Sequence, residues 1–465
     1  MRFKFALPIS LIFFSTILIY FQSLGYYFFQ DDWFILNSLN TQHLTYFFKP
    51  QTDIIYYRPL GMQTFFYLSH KLFGLNPFGY HVISFSLHII NASLLFSLLY
   101  KVFKTRLSAM LGAFIWATAP FHFMTLSWLS LSWNVFGTFF TLCALHFYLQ
   151  FLSKSKLVYL FIVYVLFLLA LASFEFALIT PFFLVVFAFF FLNKKFSDVL
   201  RKSKGLILAM LATGLVYLAM RFVFFQIPAI EGYRIELNFA SAKTLLWYFL
   251  WLLNVPEELK YQVVLSKMQL TPSIVKDGTA FLLPTIVASL LTIAFFLAVI
   301  YRSKVKNNVI LGAVLIFVLY ISPVIFLPSH TYSYYLTMSS LGLVLLVSKA
   351  VLLLQKRPEG TILVTIFACI WFFSSFLTVS LSRQTHWVTM EQSISRSAVE
   401  MIQNAVPSPI AAGSEVTIQT GDTMLKVALS DQEALQVLFG DRTIKTIYHQ
   451  NPYTIPRQTD YLLKF

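Results

Sequence analysis

Two adjacent acids, Asp31 and Asp32, follow the first long apolar stretch of the chain, residues 7–24. In a chain that is 58% hydrophobic and 11% charged, neighbouring carboxylates at a membrane boundary are unfavourable unless a ligand, a metal ion or a cation balances them. A carboxylate in this position could remove a proton from an acceptor hydroxyl, as a general base does. The alternative is a pair that caps a short helix starting near Trp33. A cap explains one acid more easily than two, so the pair favours chemistry.

Two arginines could bind an anionic group near these acids. Arg58 stands between Tyr57 and Pro59, and its planar guanidinium could hold a phosphate. Equally, it could stack on Tyr57 or extend towards water from an interfacial helix. Arg221 ends a later apolar stretch, and phosphate binding and extension towards water are both open for it.

Three further residues could line the same cavity. Glu175 lies at a tight turn between two apolar stretches, where it could face a cavity, pair with an arginine or be a solvated turn residue. His330 could contact a phosphate or a metal ion. Tyr332 could contact an acceptor, although tyrosines are also common at membrane interfaces. Hydrogen bonding in helix packing is the better explanation for three other histidines: His81, His88 and His122.

The elements that must position these residues are membrane-spanning helices. The mean hydropathy is +0.73, and repeated apolar stretches of about 20 residues indicate an all-α polytopic membrane protein. The formal net charge of +15 lies in short loops between these stretches, which is typical of cytoplasmic loops and not of nucleic-acid binding. We predict about eleven transmembrane helices, at 7–25, 80–100, 108–124, 133–151, 157–173, 176–192, 205–225, 280–300, 308–327, 335–354 and 361–382.

Loop charges alternate along the chain and predict its orientation. One set of alternate loops contains clusters of lysines and arginines, beginning with Arg2 and Lys4, and should be cytoplasmic. The other set carries the acids Asp31, Asp32, Asp53, Glu175, Glu231, Glu236, Glu257, Glu258 and Asp277. We therefore expect a cytoplasmic N terminus and two long outer loops, 26–79 and 226–279. Their amphipathic stretches at 33–39, 64–73, 245–253 and 256–268 predict interfacial helices.

The last part of the chain loses its hydrophobicity and predicts a second domain. Residues 1–382 form the predicted transmembrane catalytic domain, and residues 383–465 a small soluble α/β domain outside the membrane. Its predicted elements are strands at 416–419, 425–429 and 444–448 and a helix at 431–439, with Asp431 as a candidate N-cap.

Several short motifs together resemble the glycosyltransferase C superfamily, and its protein O-mannosyltransferase-like branch in particular. The likeness covers roughly residues 20–190, and later helices match by topology alone. The motifs are Asp31-Asp32-Trp33, Tyr57-Arg58-Pro59-Leu60, Phe73-Gly74-Leu75-Asn76-Pro77-Phe78-Gly79-Tyr80-His81, His88-Ile89-Ile90-Asn91, Ala119-Pro120-Phe121-His122 and Ser173-Phe174-Glu175-Phe176.

This resemblance implies an inverting transfer of a sugar, with mannose as one candidate, from a polyprenyl-phosphate donor to a protein, lipid or glycan on the outer face of the membrane. It implies an acid in the first outer loop as the base, for which we take Asp31, with Asp32 supporting it or binding a divalent metal such as Mg²⁺ or Mn²⁺. The donor phosphate would contact Arg58, Arg221 and His330, and Glu175 and Tyr332 would face the acceptor cavity.

The chain departs from the family pattern at three places. Thr125 stands where relatives often have an acid, and Phe174 where they often have a lysine. The segment His330-Thr331-Tyr332 replaces an arginine-rich element, which puts phosphate binding in that loop in question.

Two other functions stay open at this point. A lipid or sugar transporter is the main alternative, but transporters usually have repeated spans and ionisable groups near the midplane of the membrane, whereas the acids here lie at the outer ends of spans. A scaffold without activity would not require Asp31 and Asp32. The short cytoplasmic loops favour the bacterial plasma membrane as the location of the protein.

Overall fold

The computed structural model describes residues 3–39, 44–49, 56–225, 233–264, 269–270, 279–406, 409–449 and 460–465. Most of these residues are helical. In the first half of the chain the helices are α1 (Phe3–Tyr20), α2 (Asp31–Leu39), α3 (Phe65–Phe73), α4 (Pro77–Phe103), α5 (Arg106–Thr118), α6 (Phe123–Ser127), α7 (Ser132–Lys154), α8 (Leu157–Leu171), α9 (Thr180–Phe191) and α10 (Phe196–Phe224).

The second half contains the remaining helices and all the strands. The helices are α11 (Phe239–Leu252), α12 (Leu259–Gln262), α13 (Thr279–Ser303), α14 (Asn307–Ile321), α15 (Leu336–Ser339), α16 (Leu341–Leu354), α17 (Pro358–Thr385), α18 (Trp387–Ala405), α19 (Thr423–Ala428) and α20 (Glu433–Phe439). The strands are β1 (Val263–Val264), β2 (Gln269–Leu270), β3 (Glu415–Gln419), β4 (Lys445–His449) and β5 (Tyr461–Lys464).

The apolar helices make this a multi-pass membrane protein. Six helices of the described part are long and apolar enough to cross a bilayer, and two bent helix pairs bring the number to as many as eight. Three further apolar helices have only 10–17 residues: Leu157–Leu171, Glu175–Phe191 and Asn307–Ile321. At 1.5 Å per residue they fall short of a hydrocarbon core of about 30 Å. Each predicted span coincides with one of these helices or pairs, but the number of eleven crossings stays a prediction.

The two long loops contain the short helices that their amphipathic patterns predict. In the first loop these are α2 and α3, although α2 begins at Asp31 rather than near Trp33. In the second loop α11 ends at Leu252. Within the described part of the predicted helix at 256–268, the structure has α12 followed by β1, which pairs with β2. The acids Asp53, Glu231 and Asp277 lie outside the described residues.

The C-terminal segment forms the expected small α/β unit, with one wrong element. Its three strands are parallel in the order β4-β3-β5. The predicted strand at 425–429 is instead helix α19, which Asp422 caps by accepting a hydrogen bond from Met424 N. Leu425, Ala428 and Leu429 are the buried residues, and this i, i+3, i+4 spacing belongs to a helix. Asp431 does not cap α20, because Gln432 holds the N-cap position.

The C-terminal segment packs directly against the first outer loop. Gln30 N donates to Ala428 O over 3.0 Å, and Trp33 Nε1 donates to Ser395 Oγ on α18 over 3.0 Å. Asn37 on α2 donates to Gln436 on α20 over 2.7 Å. Helix α2, which begins with the two acids, is therefore held between the helix bundle and the C-terminal segment.

Candidate active site

A cavity of about 520 Å³ lies at one end of the helix bundle. Six parts of the chain meet there: the start of α2, the segment before α3, the break between α6 and α7, the second long loop on either side of α11, the turn before α15, and the junction of α17 with α18. Its wall contains charged, polar and aromatic side chains: Gln30, Asp31, Tyr56, Arg58, Met62, Trp128, Ser130, Leu131, Trp133, Tyr233, Glu258, His330, Tyr332, Tyr334, Tyr335, Thr385, His386, Trp387, Met390 and Glu391.

Asp31 presents its carboxylate to this cavity. Gln30 has a positive φ of 46°, and this sharp turn places Asp31 at the first position of α2. None of the hydrogen bonds among the described residues involves the Asp31 carboxylate. Burial raises its pKa from 3.8 to about 6, and the nearby positive charge of Arg58 opposes the rise. A free carboxylate with this pKa can accept a proton near neutral pH.

Asp32 has a different environment from its neighbour. It is fully buried and is not part of the cavity wall. Its Oδ1 accepts hydrogen bonds from Ser130 N at 2.7 Å and Ser130 Oγ at 2.5 Å, and its Oδ2 accepts one from Phe29 N at 3.3 Å. Burial raises the pKa of Asp32 to about 8, although these hydrogen bonds offset part of the rise. This arrangement ties the segment between α6 and α7 to the first outer loop, and so positions Asp31.

Arg58 supplies positive charge to the cavity wall and is held in place by Glu175. Arg58 Nε donates to Glu175 Oε2 over 2.8 Å, and Arg58 Nη2 donates to Glu175 Oε1 over 2.5 Å. The guanidinium carbon also lies 4.0 Å from the centre of the Trp133 ring and 4.7 Å from that of Tyr56. Glu175 does not line the cavity. Of the three roles predicted for it, the structure shows the pairing with an arginine.

Arg221 is not brought to the cavity wall. Its guanidinium carbon lies 5.4 Å from the centre of the Phe225 ring, close to the C-terminal end of α10. Arg221 lies near enough to Glu175 for its charge to help lower the pKa of that carboxyl group, and its contact with a donor phosphate stays a prediction.

His330 and Tyr332 both line the cavity, in the turn before α15. His330 Nε2 lies 3.0 Å from Tyr335 Oη, and its ring centre lies 4.5 Å from that of Tyr233. Burial, together with the charges of Arg58 and Lys260, lowers the pKa of His330 to about 4. Near pH 7 the imidazole is neutral, so it can offer a hydrogen bond to a phosphate but no charge. Tyr332 stacks on Tyr334 with ring centres 5.4 Å apart.

Sequence reasoning missed three ionisable groups of the wall: Glu258, His386 and Glu391. Glu391 accepts a hydrogen bond from Gln30 Nε2, and burial together with the charge of Asp31 raises its pKa to about 7. His386 and Glu391 follow the last predicted span at 361–382 and were assigned to a separate domain. Both residues come immediately after that span, on the same predicted side of the membrane as Asp31, and this position could have identified them as site residues.

The ligand set for a metal ion does not come together here. Among the described ranges, no group of three or more His, Cys, Asp or Glu side chains is placed to hold a metal ion. Both carboxylate oxygens of Asp32, the predicted metal ligand, accept hydrogen bonds from the protein. The residues present do not fit the predicted Mg²⁺ or Mn²⁺ site.

Comparison with known proteins adds a distant structural likeness. No family model matches the sequence, and no curated protein does. Among similar solved structures is a crystal structure of the Archaeoglobus fulgidus oligosaccharyltransferase in complex with Zn and sulfate, with a TM-score of 0.49 and 13% sequence identity. The match covers 96% of this chain and 62% of that one, so this chain spans less than two thirds of its length. At this level the likeness carries no conclusion about activity.

Proposed function

We propose that the protein is an integral-membrane glycosyltransferase that moves a sugar from a polyprenyl phosphate to a hydroxyl group of a protein, lipid or glycan. The reaction would take place on the outer face of a membrane, and the short predicted cytoplasmic loops favour the bacterial plasma membrane. The N terminus would then be cytoplasmic, and the C-terminal α/β unit would lie outside with the cavity.

One observation carries this proposal: a free carboxylate and a fixed cation share one cavity. Asp31 and Arg58 both belong to the wall, and the Asp31 carboxylate has no hydrogen bond among the described residues. Glycosyl transfer from a lipid phosphate requires a group that removes a proton from the acceptor and a group that stabilises the leaving phosphate. The aromatic residues of the wall supply apolar surface of the kind that lines ligand pockets.

The proposed reaction is a single displacement. Asp31 removes the proton from the acceptor hydroxyl as its oxygen attacks the anomeric carbon of the donor sugar. The bond from that carbon to the phosphate oxygen breaks, and the polyprenyl phosphate leaves with the electron pair. Arg58 stabilises the negative charge on the leaving phosphate. Attack from the side opposite the leaving group inverts the anomeric configuration.

The other predicted residues take supporting roles in this proposal. Asp32 positions Asp31 through Ser130, and Glu175 fixes the orientation of Arg58. His330 and Tyr332 contact the substrate as neutral groups. Arg221 lies outside the cavity wall, and donor binding by it stays a prediction. Mannose remains one candidate for the sugar.

Transfer of radiolabelled sugar tests the proposal. Membranes containing the wild type, Asp31→Asn or the matched control Asp198→Asn are incubated with a panel of polyprenyl-phosphate sugars. Asp198 is an exposed acid paired with Arg201 on α10, so its loss should leave transfer unchanged. We expect label in a product with the wild type and the control, and at least about 100-fold less with Asp31→Asn. No transfer from any donor, with equal behaviour of the three proteins, would favour transport instead.

A further inference from the structure

Glu258 is a buried acid that faces the cavity without a partner. Its side chain is 5% exposed, and it belongs to the cavity wall. Within the described part of the chain, neither Oε1 nor Oε2 has a hydrogen bond of normal geometry. Burial raises the pKa of Glu258, and His386 and the nearby Ser382 hydroxyl lower it in part. A buried carboxyl group without hydrogen bonds is unfavourable, so its position at a cavity indicates that a ligand completes its contacts.

His386 offers a hydrogen-bond donor to the same cavity. Its side chain is 2% exposed, and its Nδ1 accepts a hydrogen bond from Val388 N over 3.2 Å at the start of α18. Since Nδ1 is an acceptor, the ring proton of the neutral tautomer is assigned to Nε2. Nε2 has no hydrogen bond among the described residues, and Glu257 Oε2, at 3.9 Å, is too far for one.

We propose that Glu258 and His386 form a subsite for two neighbouring hydroxyl groups of a sugar ring. The carboxyl group accepts and the imidazole N–H donates, which suits hydroxyl groups, because each of them can do both. Two buried groups that lack partners discriminate strongly, since a sugar without one of the hydroxyls leaves them unpaired. Trp387 and Tyr332, in the same wall, provide apolar surface for the ring.

The subsite rests on the proposed function for the nature of its ligand, but it uses other residues. Glu258 lies in the turn between α11 and α12, and His386 lies at the junction of α17 and α18. Neither takes part in the proposed proton removal by Asp31 or in the stabilisation of the phosphate by Arg58. The sugar held there can be that of the donor or that of a glycan acceptor, and both present the same hydroxyl chemistry.

The adjacent acid Glu257 provides a matched control. It is buried to a similar degree, at 7% exposure. Its Oε2 accepts a hydrogen bond from Ser333 N over 3.3 Å, and it is not among the residues that line the large cavity. If ligand binding is lost in Glu258→Gln but not in Glu257→Gln, the loss is therefore due to the position of Glu258 at the cavity. The loss of a buried charge in this turn would not explain it.

Sugar binding by the purified full-length protein in lipid nanodiscs tests the subsite. Ligand-observed NMR titrations use the methyl glycosides of mannose, glucose and galactose, and the farnesyl-phosphate derivatives of the same three sugars. We expect the wild type and Glu257→Gln to bind at least one sugar with the same Kd. Glu258→Gln should raise that Kd by about tenfold or more. His386→Asn should do the same, while the asparagine keeps the N-cap of α18.

Deoxy sugars identify the contacted hydroxyls. The wild type should bind an analogue that lacks one of these hydroxyls as weakly as Glu258→Gln binds the unmodified sugar. A loss confined to the farnesyl-phosphate sugars assigns the subsite to the donor, and a loss confined to the methyl glycosides assigns it to the acceptor.

Two results would overturn the subsite: no sugar binding by the wild type, or an unchanged Kd in folded Glu258→Gln and His386→Asn. Sugar binding that depends on Glu258 without any transfer of sugar would refute the glycosyltransferase proposal and leave the subsite standing. Transfer that proceeds normally in Glu258→Gln, with unchanged sugar binding, would refute the subsite alone.

Discussion

Lowering the pH should slow sugar transfer by titrating Asp31. Burial raises the pKa of this carboxyl group from 3.8 to about 6. The ionised fraction then falls from about 0.9 at pH 7 to about 0.1 at pH 5, so the rate should fall by about tenfold. An aspartate with an ordinary pKa would remain mostly ionised at pH 5, and the rate would hardly change.

The assay is the initial rate of transfer between pH 5 and pH 8, at saturating donor, with the wild type, Asp31→Asn and Glu391→Gln. Asp31→Asn should lower the rate at pH 7 by about 10²–10⁴-fold and remove the decline towards low pH. Glu391 has a pKa raised to about 7, in part by Asp31, so the two carboxyl groups titrate as a pair. Glu391→Gln should leave a single decline centred near pH 6.

Two results would refute this reasoning. One is a decline towards low pH that persists in the residual activity of Asp31→Asn. The other is a wild-type rate that stays constant down to pH 5. Either result would mean that the proton of the acceptor goes elsewhere and that Asp31 lines the cavity without acting as the base.

Three further predictions concern the residues that hold the site together. Glu175→Gln should lower the free energy of unfolding by about 3–5 kcal/mol, because it leaves Arg58 buried without its anionic partner. Denaturant titration measures this loss of stability, and the KM for the donor should rise. Asp32→Ala should lower the free energy of unfolding by about 1–3 kcal/mol for each buried donor left unpaired, including Ser130 N, and an unchanged thermal midpoint would contradict it. Asn37→Ala should lower kcat while leaving membrane insertion intact, because it removes contacts between α2 and α20; equal kcat would show that this packing does not position the site.

The sequence could indicate the outer acids and the helices, because both depend on local composition. Asp31 and Arg58 were identified from residue type and position after an apolar stretch, and both line the cavity. Residue type alone could not distinguish the role of Asp31 from that of Asp32. Their opposite environments depend on Ser130, nearly a hundred residues later in the chain, and such a contact leaves no trace in local spacing.

The remaining site residues were missed for a related reason. Loss of hydrophobicity after the last span predicted a separate domain from residue 383 onwards, yet α18 begins that segment with part of the cavity wall. His386 and Glu391 join Asp31 in the cavity wall through tertiary packing, which composition does not report. Within the C-terminal unit, the apolar residues of α19 were assigned to a strand because a short apolar run fits both structures, and only the spacing of the buried residues distinguishes them.

The packing of the C-terminal unit on α2 has a consequence for the order of synthesis. Helix α2 leaves the ribosome before its partners on α18 and α20. Since chains emerge from the N terminus onwards, a nascent protein can insert most of its helices while its cavity still lacks Glu391 and His386. A chain interrupted before α18 would then occupy the membrane as an inactive protein, and activity would itself report that α18 had been synthesised.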